Sequence, residues 1–344
     1  MSLHLVEGTV IAGRYHLVSR LGRGGMGEVW LARHAALDIP CAVKVIHADA
    51  ASSPEHRARF ELEARAAAQV RGAHVVQVLD VGVCEETPFL VMEYLVGESL
   101  GPRLARFGVL DVRGTVSIVV QVARALARAH AVGLVHRDLK PANIFLCRED
   151  DGEIAKVLDF GIAKRIGVGL DGAADGPTIP GTVVGTPMYM SPEQARGTQA
   201  VDHRADLWAL GVIAFRCLTG QLPFRSDTLG DLMVRLMVEP IPVPSRIAAV
   251  PAGFDAWWAR AASRDPDQRF QSAKELADAL QIAICRSGTL DPDQPPSAAP
   301  FLLVSRRTRP AGGGPCTPLI AVLTAPVVPT PSSGPGCPSL EGAS

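Results

Sequence analysis

The sequence has 344 residues, enough for one large domain or two small ones with a core that needs no disulfide bonds. A hydrophobic share of 47%, a charged share of 20% and a net charge near -1 are typical of a globular protein and give no reason to expect nucleic acid as a partner. The seven scattered cysteines, an odd number without C-x-x-C spacing, argue against a disulfide framework or a zinc site and favour a reducing cytoplasm.

No membrane segment is expected at either end of the chain. The first 15 residues lack a basic stretch followed by a long apolar core, so no secretory signal is predicted. The longest apolar stretch near the C-terminus, residues 319–328, contains Pro326 and is well short of the ~20 residues that a spanning helix needs. We therefore expect a cytoplasmic protein without a membrane span.

A glycine-rich stretch, LGRGGMGEVWLARH, comes first among the informative segments. Gly22, Gly24 and Gly27 match G-x-G-x-x-G, a spacing that simple glycine-rich hairpins also contain. A dinucleotide-binding loop would continue into a helix, whereas the run EVWLA predicts a strand. Val29 completes the pattern of a strand-turn-strand loop that covers phosphates. Such a loop predicts a lysine on the next strand.

The first part of the folded region is rich in strands, and the rest is rich in helices. Ser53 before Pro54 and Glu55 marks a helix start. Beyond residue 100 the apolar spacing becomes helical, with Gly133 as a C-cap and one helix apolar enough to be buried on all sides. Strands are predicted near residues 15–22, 27–33, 40–46, 76–83 and 88–93, and helices over residues 54–70, 112–131 and 206–219. This order predicts an α+β fold with a small antiparallel sheet lobe, containing one helix, and a larger helical lobe.

The expected lysine is Lys44, within the apolar strand CAVKVIHAD. Alone, a lysine in a strand is more often an exposed edge residue. The helix over residues 54–70 offers Glu63, whose carboxylate would hold the ammonium against the phosphates of a nucleotide. Glu61 is a competing candidate for the same pairing.

The string VHRDLKPANIF, residues 135–145, is the most specific in the chain. Asp138 can orient a hydroxyl nucleophile and accept its proton, Lys140 can meet a γ-phosphate, and Asn143 can bind a metal ion through its amide oxygen. The later string KVLDFGIAK supplies Asp159 as a second metal ligand. Each residue alone could be an ordinary turn residue, but together they indicate phosphoryl transfer.

With these motifs in order, the chain resembles the protein kinases, and in particular the eukaryotic-like serine/threonine kinases of bacteria. The signature strings are GRGGMGEV, AVK, HRDLKPAN, DFG and SPE, the last in place of the more usual APE. The resemblance covers residues from about 15 to 284. It implies a two-lobed kinase fold, the substrate ATP, Mg²⁺ or Mn²⁺ as the metal, and protein substrates.

The resemblance also implies a role for each matching residue. Asp138 would be the catalytic base, Lys140 and the Lys44–Glu63 ion pair would support transfer, and Asn143 and Asp159 would bind the metal. The residues implied to surround the nucleotide are Leu21, Gly22, Gly24, Gly27, Val29, Ala42, Lys44, Met92, Glu93, Leu95 and Phe145. Among these, Met92 would be the gatekeeper, and backbone groups of Glu93 and Leu95 would bond adenine.

Other matching residues are implied to hold the large lobe together. His136 would pack the catalytic loop against Phe160 rather than carry protons, and Asp206 would cap that loop from the buried helix. Arg269 would pair with Glu193. The residues implied to support the structure are His136, Arg137, Phe160, Thr186, Glu193, Asp206 and Arg269.

Lys140 fits the serine/threonine pattern rather than the tyrosine pattern, and Thr186 is the matching loop threonine. A scaffold without activity would normally lack Lys44, Asp138 or Asp159, all of which are present. A small-molecule kinase of related fold generally lacks the loop from Thr186 to Glu193. The sequence therefore predicts a non-specific serine/threonine protein kinase.

Regulation is predicted from the long glycine-rich stretch between the DFG and SPE motifs. Arg137 precedes the catalytic aspartate, as in kinases whose activation segment is ordered by a phosphate. Thr178 and Thr182 are the expected autophosphorylation sites. The resemblance also suggests a homodimer through the small lobe, which nothing in the sequence tests.

The expected domain boundaries follow the resemblance and the composition. Twelve of the 27 prolines fall between Pro292 and Pro338, which predicts a disordered tail. The segments are a lead-in (1–14), the kinase domain (15–284), divided into a small lobe (about 15–92), a hinge (about 93–97) and a large lobe (about 98–284), and the tail (285–344).

Overall fold

The chain folds into a small sheet lobe followed by a larger, mostly helical lobe, which confirms the predicted α+β kinase-like architecture. The structure is a computed structural model that describes residues 4–24, 27–46, 54–149, 152–160, 187–197 and 201–285, without the side chains of residues 54–59. No helix within these ranges combines the length and the apolarity needed to cross a bilayer. The predicted phosphosites Thr178 and Thr182, and the supporting Thr186, lie outside the described residues.

The small lobe is built on an antiparallel sheet. Its elements are β1 (Val10–Ile11), β2 (Tyr15–Gly24), β3 (Gly27–His34), β4 (Pro40–Ile46), α1 (Pro54–Gln69), β5 (Val78–Cys84) and β6 (Thr87–Glu93). The strand order is β1-β2-β3-β4-β6-β5. The five predicted strands and the helix are confirmed, with ends that differ by one or two residues. Strand β1 was not predicted, because two residues cannot show a period.

Two apolar clusters cover the two faces of this sheet, as the alternation of side chains along a strand requires. Val43 and Val45 of β4 enter one cluster, together with Trp30 and Phe89. The even-numbered positions of β4 face the other way. There Ala42 and Ile46 pack with Phe60 and Ala64 of α1 and with Leu90 and Met92 of β6. Because Lys44 lies between Ala42 and Ile46, its side chain is directed to the face that α1 covers.

The large lobe is packed around two long helices. Its elements are β7 (Gly97–Ser99), α2 (Leu100–Phe107), α3 (Val112–Ala131), β8 (Ile144–Glu149), β9 (Gly152–Val157), α4 (Pro192–Ala195), α5 (Arg204–Thr219), α6 (Leu229–Val238), α7 (Phe254–Ala261) and α8 (Ala273–Cys285). Helix α5 begins two residues earlier than predicted. It is buried along almost its whole length, which confirms the expectation from its apolar sequence.

Helix α3 ends as the sequence predicts. Gly133 has φ +75, a left-handed conformation that glycine adopts without a Cβ penalty. The N–H of Gly133 donates to the carbonyl of His130, and the N–H of Leu134 donates to that of Ala129. These two bonds form a Schellman motif, which ends the helix and directs the chain into the loop before His136.

A second sheet, β7-β8-β9, was not predicted from the sequence. It connects the loop that carries Asp138 with the segment that carries Asp159. Val157 of β9 forms a parallel bridge to Val75, and its N–H donates to the carbonyl of His74 at 2.9 Å. The large lobe is thereby joined to the connection between α1 and β5.

Candidate active site

The glycines of the predicted phosphate loop lie on two paired strands, Gly22 and Gly24 near the end of β2 and Gly27 at the start of β3. In the register of this hairpin, Gly22 is opposite Val29 and Gly24 is opposite Gly27. A Cβ atom added at Gly22 or Gly24 would meet nothing within 4 Å, so the space beside these two backbones is open. A loop that covers phosphates needs such a space, because backbone amides reach a ligand only where no side chain intervenes, and the role of these glycines stays a prediction.

Gly27 differs from the other two glycines, because the neighbouring strand leaves no room for a side chain at this position. A Cβ at Gly27 would lie 2.1 Å from the carbonyl oxygen of Val45. We expect Gly27→Ala to push β3 away from β4 and to cost about 1–3 kcal/mol of unfolding free energy. Gly24→Ala is the matched control, and its stability should equal that of the wild type. Thermal unfolding without nucleotide measures both, and equal melting temperatures for the two variants would contradict this account.

Lys44 lies against the DFG aspartate in the cleft between the lobes. Its Nζ atom is 2.8 Å from Oδ1 of Asp159, and 16% of the lysine side chain is exposed. In the β4 register Lys44 is opposite Val29 on one side and Leu90 on the other. The apolar neighbours hold the lysine stem while the ammonium points at the carboxylate.

The ionised form of Asp159 is favoured. Burial alone would raise the pKa of this carboxyl, but the Lys44 ammonium, aided by Lys140, holds the pKa below its ordinary value. Asp159 has φ +46, which is uncommon outside glycine and is found at functional sites. The carboxylate is therefore charged near neutral pH and available to a cation.

The predicted pairing of Lys44 with Glu63 stays a prediction. Glu63 lies on α1 and is partly buried. Glu61, the competing candidate, has its Oε2 3.3 Å from the guanidinium of Arg65 one turn further along the helix. The ion pair that the structure gives Lys44 within the described residues is the one with Asp159.

The catalytic loop is held from below by Asp206, which is 1% exposed. One carboxylate oxygen of Asp206 accepts the N–H of Arg137 at 2.8 Å, and the other accepts the N–H of His136 at 2.9 Å. That second oxygen also lies 2.8 Å from Nε2 of His130, a residue that the sequence did not single out. Helix α5 therefore fixes the backbone N–H groups of His136 and Arg137, the two residues before Asp138, which is the capping contact expected of Asp206.

His136 joins the catalytic loop to the DFG segment. Its Nδ1 accepts the N–H of Asp138 at 3.2 Å, so the proton belongs on Nε2, which donates to the carbonyl of Leu158 at 2.9 Å. The ring centroid lies 5.2 Å from that of Phe160. Both ring nitrogens are thus engaged in holding these two segments together, and the predicted structural role of His136 in catalysis stays a prediction.

The side chains of Lys140 and Asn143 both contact Asp138 within this loop. Nζ of Lys140 lies 2.8 Å from Oδ2 of Asp138. The amide nitrogen of Asn143 donates to the backbone carbonyl of Asp138 at 2.9 Å. Because the nitrogen must face that acceptor, the Oδ1 atom of Asn143 is the one left for a cation.

The oxygens of Asn143 and Asp159 fit a magnesium site. A carboxylate and an amide oxygen are ligands that hard cations prefer, and Mg²⁺ commonly keeps waters and substrate phosphates as its other ligands. The N–H of Leu158, next to Asp159, donates to the backbone carbonyl of Asn143 at 2.9 Å, which holds the two segments together. Among the described residues, no cluster of three or more histidines, cysteines or carboxylates forms a separate metal site.

Asp159→Asn tests this assignment through nucleotide binding alone. We expect the variant to bind Mg²⁺ at least about ten-fold more weakly, because mutation of a residue that only hydrogen-bonds to a metal ligand already costs about that much affinity. The measurement is a titration of ADP with and without Mg²⁺, and the variant should bind ADP equally in both. Asp278→Asn, on the exposed side of α8, is the control. Retention of the wild-type Mg²⁺ dependence would exclude Asp159 as a ligand.

The predicted adenine pocket lies where the sheet meets the hinge. Met92 is 7% exposed and belongs with Ala42 to the cluster under α1. Leu21, Val29 and Leu95 pack against that cluster from its partly exposed side. Phe145 is half-buried on β8, opposite Lys156 of β9. The sandwich of these side chains around a base stays a prediction.

Glu93 is fixed at the start of the hinge. Its N–H donates to the carbonyl of Gln77 at 3.0 Å, so a bond from Glu93 to adenine would use its carbonyl. Its carboxylate accepts the N–H of Gln77 at 2.8 Å and both oxygens lie 2.8 Å from Nζ of Lys156. Sequence reasoning missed this link, because Lys156 and Glu93 are far apart in the chain.

Glu193 and Arg269 form a buried ion pair below the site, as the sequence predicted. Two parallel bonds of 2.7 Å join the guanidinium to the carboxylate, and the arginine side chain is 0% exposed. Arg269 also donates to the carbonyl of Ser263 at 2.6 Å and lies over the ring of Trp208. The end of the SPE segment is thereby held to the lobe.

Gln194 was also missed by sequence reasoning. Its side-chain nitrogen donates to the carbonyl of Arg137 at 2.8 Å, directly before Asp138. A signal for this residue does exist in the sequence, since Ser191-x-x-Gln194 is a capping-box pattern. The structure contains that capping box at the start of α4.

Comparisons with known proteins agree with this geometry. A family profile described as the protein kinase domain matches residues 15–278. The serine/threonine-protein kinase Pkn1 of Myxococcus xanthus is 42% identical over 324 residues, which cover 93% of this chain and 43% of that protein. PknH of Mycobacterium tuberculosis is 39% identical over 307 residues, which cover 89% of this chain and 47% of that protein.

A solved structure is similar as well. The crystal structure of the Mycobacterium tuberculosis PknI kinase domain has a TM-score of 0.64 at 33% identity and covers 81% of this chain and 100% of that one. The chain spans less than half the length of the two curated relatives named above. From the family match and these likenesses, the chain belongs to the protein kinase domain family, and the relatives that it matches are bacterial serine/threonine-protein kinases.

Proposed function

We propose that the chain is an ATP-dependent serine/threonine protein kinase, which transfers the γ-phosphoryl group of ATP to hydroxyls of proteins in bacterial signalling. The observation that carries the proposal is the meeting of two ion pairs in one cleft. Lys44 lies 2.8 Å from Asp159, and Lys140 lies 2.8 Å from Asp138. Two ammonium groups and two carboxylates, beside an open glycine loop, match the needs of phosphoryl transfer.

In this proposal the chain acts mainly by positioning and by charge neutralisation. The amides near Gly22 and Gly24 cover the phosphates, and Lys44 binds the α- and β-phosphates. Asp138 orients the acceptor hydroxyl and takes its proton, while Lys140 neutralises charge on the γ-phosphate. Mg²⁺ or Mn²⁺, held by Asn143 and Asp159, supplies further neutralisation of the phosphate charge.

A protein acceptor is favoured over a small molecule. The pair of Glu193 with Arg269 holds the SPE segment, and Gln194 of that segment lines a small cavity with Asp138, beside which we propose that a peptide lies. Lys140 supports serine or threonine as the acceptor through the family resemblance. The alternative function outside the enzymes is an inactive scaffold protein. The presence of Lys44, Asp138 and Asp159 weighs against this alternative.

We extend the proposal to autophosphorylation on Thr178 or Thr182. The support is the resemblance to kinases in which an arginine before the catalytic aspartate pairs with a loop phosphate. Arg137 occupies that place in this chain. A double Thr178→Ala, Thr182→Ala variant should lose activity, and full activity without phosphate on the wild-type loop would contradict this part of the proposal.

The test of the proposed function is incorporation of labelled γ-phosphate into the purified chain and into a basic protein acceptor with Mg²⁺. Asp138→Asn serves as the inactive control, and the modified residues are then mapped. Label on serine or threonine in the wild type alone would support the proposal. Nucleotide binding without transfer to any acceptor would favour the scaffold, and transfer only to small acceptors would favour a small-molecule kinase.

A further inference from the structure

The residue before the catalytic aspartate has an unusual backbone. Arg137 has φ +61, in the left-handed region that residues other than glycine, asparagine and aspartate seldom adopt. Such a conformation persists only where neighbouring groups hold it in place. The direction of the peptide that joins Arg137 to Asp138 therefore depends on the partners of Arg137.

Two residues hold the backbone of Arg137 from different helices. Asp206 of α5 accepts its N–H at 2.8 Å, and Gln194 of α4 donates to its carbonyl at 2.8 Å. That carbonyl belongs to the same peptide as the N–H of Asp138, which donates to Nδ1 of His136 at 3.2 Å. The peptide that carries Asp138 is thus held at both its oxygen and its nitrogen.

The orientation of the Gln194 amide is itself determined. Its Oε1 accepts the N–H of Ser191 at 3.1 Å and the hydroxyl of Ser191 at 3.2 Å. With the oxygen facing two donors, the amide nitrogen must face the carbonyl of Arg137. Ser191 is fully buried, and its Oγ in turn accepts the N–H of Gln194 at 3.4 Å.

Gln194 connects the SPE segment to the peptide that carries Asp138. Gln194 follows Glu193 directly, and together with Tyr189 and Met190 it lines a small cavity against Arg137 and Asp138. Because Gln194 donates to the carbonyl of Arg137, a shift of the SPE segment would also move the peptide that carries Asp138. This effect would act on Asp138 directly and would not involve the glycine loop or the hinge.

We infer that Gln194 is a positioning residue for phosphoryl transfer, which sets the orientation of Asp138 through the carbonyl of Arg137. The inference rests on the proposed function for its catalytic readout. Because Gln194 acts on the aspartate and not on the nucleotide, its loss should lower kcat and leave nucleotide affinity unchanged. A purely structural role would lower stability without this separation.

The experiment compares three variants of the full chain. Gln194→Met removes the amide at similar size, and Gln194→Glu keeps acceptors for Ser191 while it loses the donor to Arg137. Thr228→Ala is the matched control, because it likewise removes the side-chain cap of a helix, the bond in which the N–H of Asp231 donates to the Thr228 hydroxyl at the start of α6. We expect kcat to fall about ten- to a hundred-fold in both Gln194 variants, the range for a misplaced catalytic group, with the ADP Kd within about two-fold of the wild type.

Hydrogen exchange of residues 136–139 supplies a readout that needs no activity. Both Gln194 variants should exchange faster there, while Thr228→Ala and the wild type should exchange alike. Unchanged kcat and exchange in the Gln194 variants would overturn the inference, as would an equal loss of kcat in Thr228→Ala. If the wild type transfers no phosphate, the proposed function fails and the exchange data alone decide the role of Gln194.

Discussion

Replacement of Asp138 by asparagine is expected to lower the rate of phosphoryl transfer by about 10²–10⁴-fold, the usual range for the loss of a general base. Asparagine has nearly the same shape but cannot accept the hydroxyl proton. The bond from Asn143 goes to the backbone carbonyl of Asp138 and should survive the change. Nucleotide affinity should therefore stay near that of the wild type. Steady-state rates and an ADP titration measure the two effects.

Asp278→Asn provides the matched control for this experiment. Asp278 lies on α8, half-exposed, and pairs with Lys274 one turn away. The same chemical change at that position should leave the rate unaltered. A wild-type rate in Asp138→Asn, or an equal loss in the control, would contradict the role of Asp138 as the base.

Breaking the buried pair of Glu193 and Arg269 is expected to destabilise the large lobe strongly. Glu193→Gln would leave the guanidinium of Arg269, which is 0% exposed, without its counter-charge. Removal of one partner of a buried pair costs about 3–5 kcal/mol of unfolding free energy. By contrast, loss of the exposed pair between Lys274 and Asp278 should cost about 0.3–0.5 kcal/mol. Urea unfolding of Glu193→Gln and Asp278→Asn measures the difference, and equal losses would refute this reading of the pair.

The same pair predicts how stability depends on pH. Burial would raise the pKa of the Glu193 carboxyl, but the bonds from Arg269 hold it below its ordinary value of 4.5. A carboxyl with a lowered folded pKa stabilises the fold fully at pH values above the unfolded pKa, and this stabilisation declines as the pH falls through the folded pKa. The stability advantage of the wild type over Glu193→Gln should therefore shrink as the pH is lowered below about 4.5. A difference that stays constant down to the acid-unfolding limit would contradict the assignment.

Much of the site could be predicted from the spacing of residues within short segments of the sequence. Periods of two and of 3.6 residues depend on near neighbours alone, so β2, β3, β4, α1 and α3 were predicted to within a few residues. Short strings such as HRDLKPAN keep Asp138, Lys140 and Asn143 in one loop whatever surrounds it. Strands β1, β7, β8 and β9 were missed. Strands β1 and β7 are too short to show a period, and the pairing of β7 with β8 joins segments far apart in the chain.

Only the tertiary structure decided which groups meet across the chain. Glu61 and Glu63 were the candidate partners of the Lys44 ammonium, whereas Asp159 was expected only as a metal ligand. The fold of the two lobes brings Asp159 to 2.8 Å from Lys44. In the same way, the bond from Gln194 to Arg137 spans 57 positions, and no local pattern predicts which carbonyl a glutamine will meet. By itself, then, the sequence determined the chemical groups and their order, because these are properties of short segments. Their pairing and the left-handed backbone before Asp138 follow from packing between segments far apart in the chain.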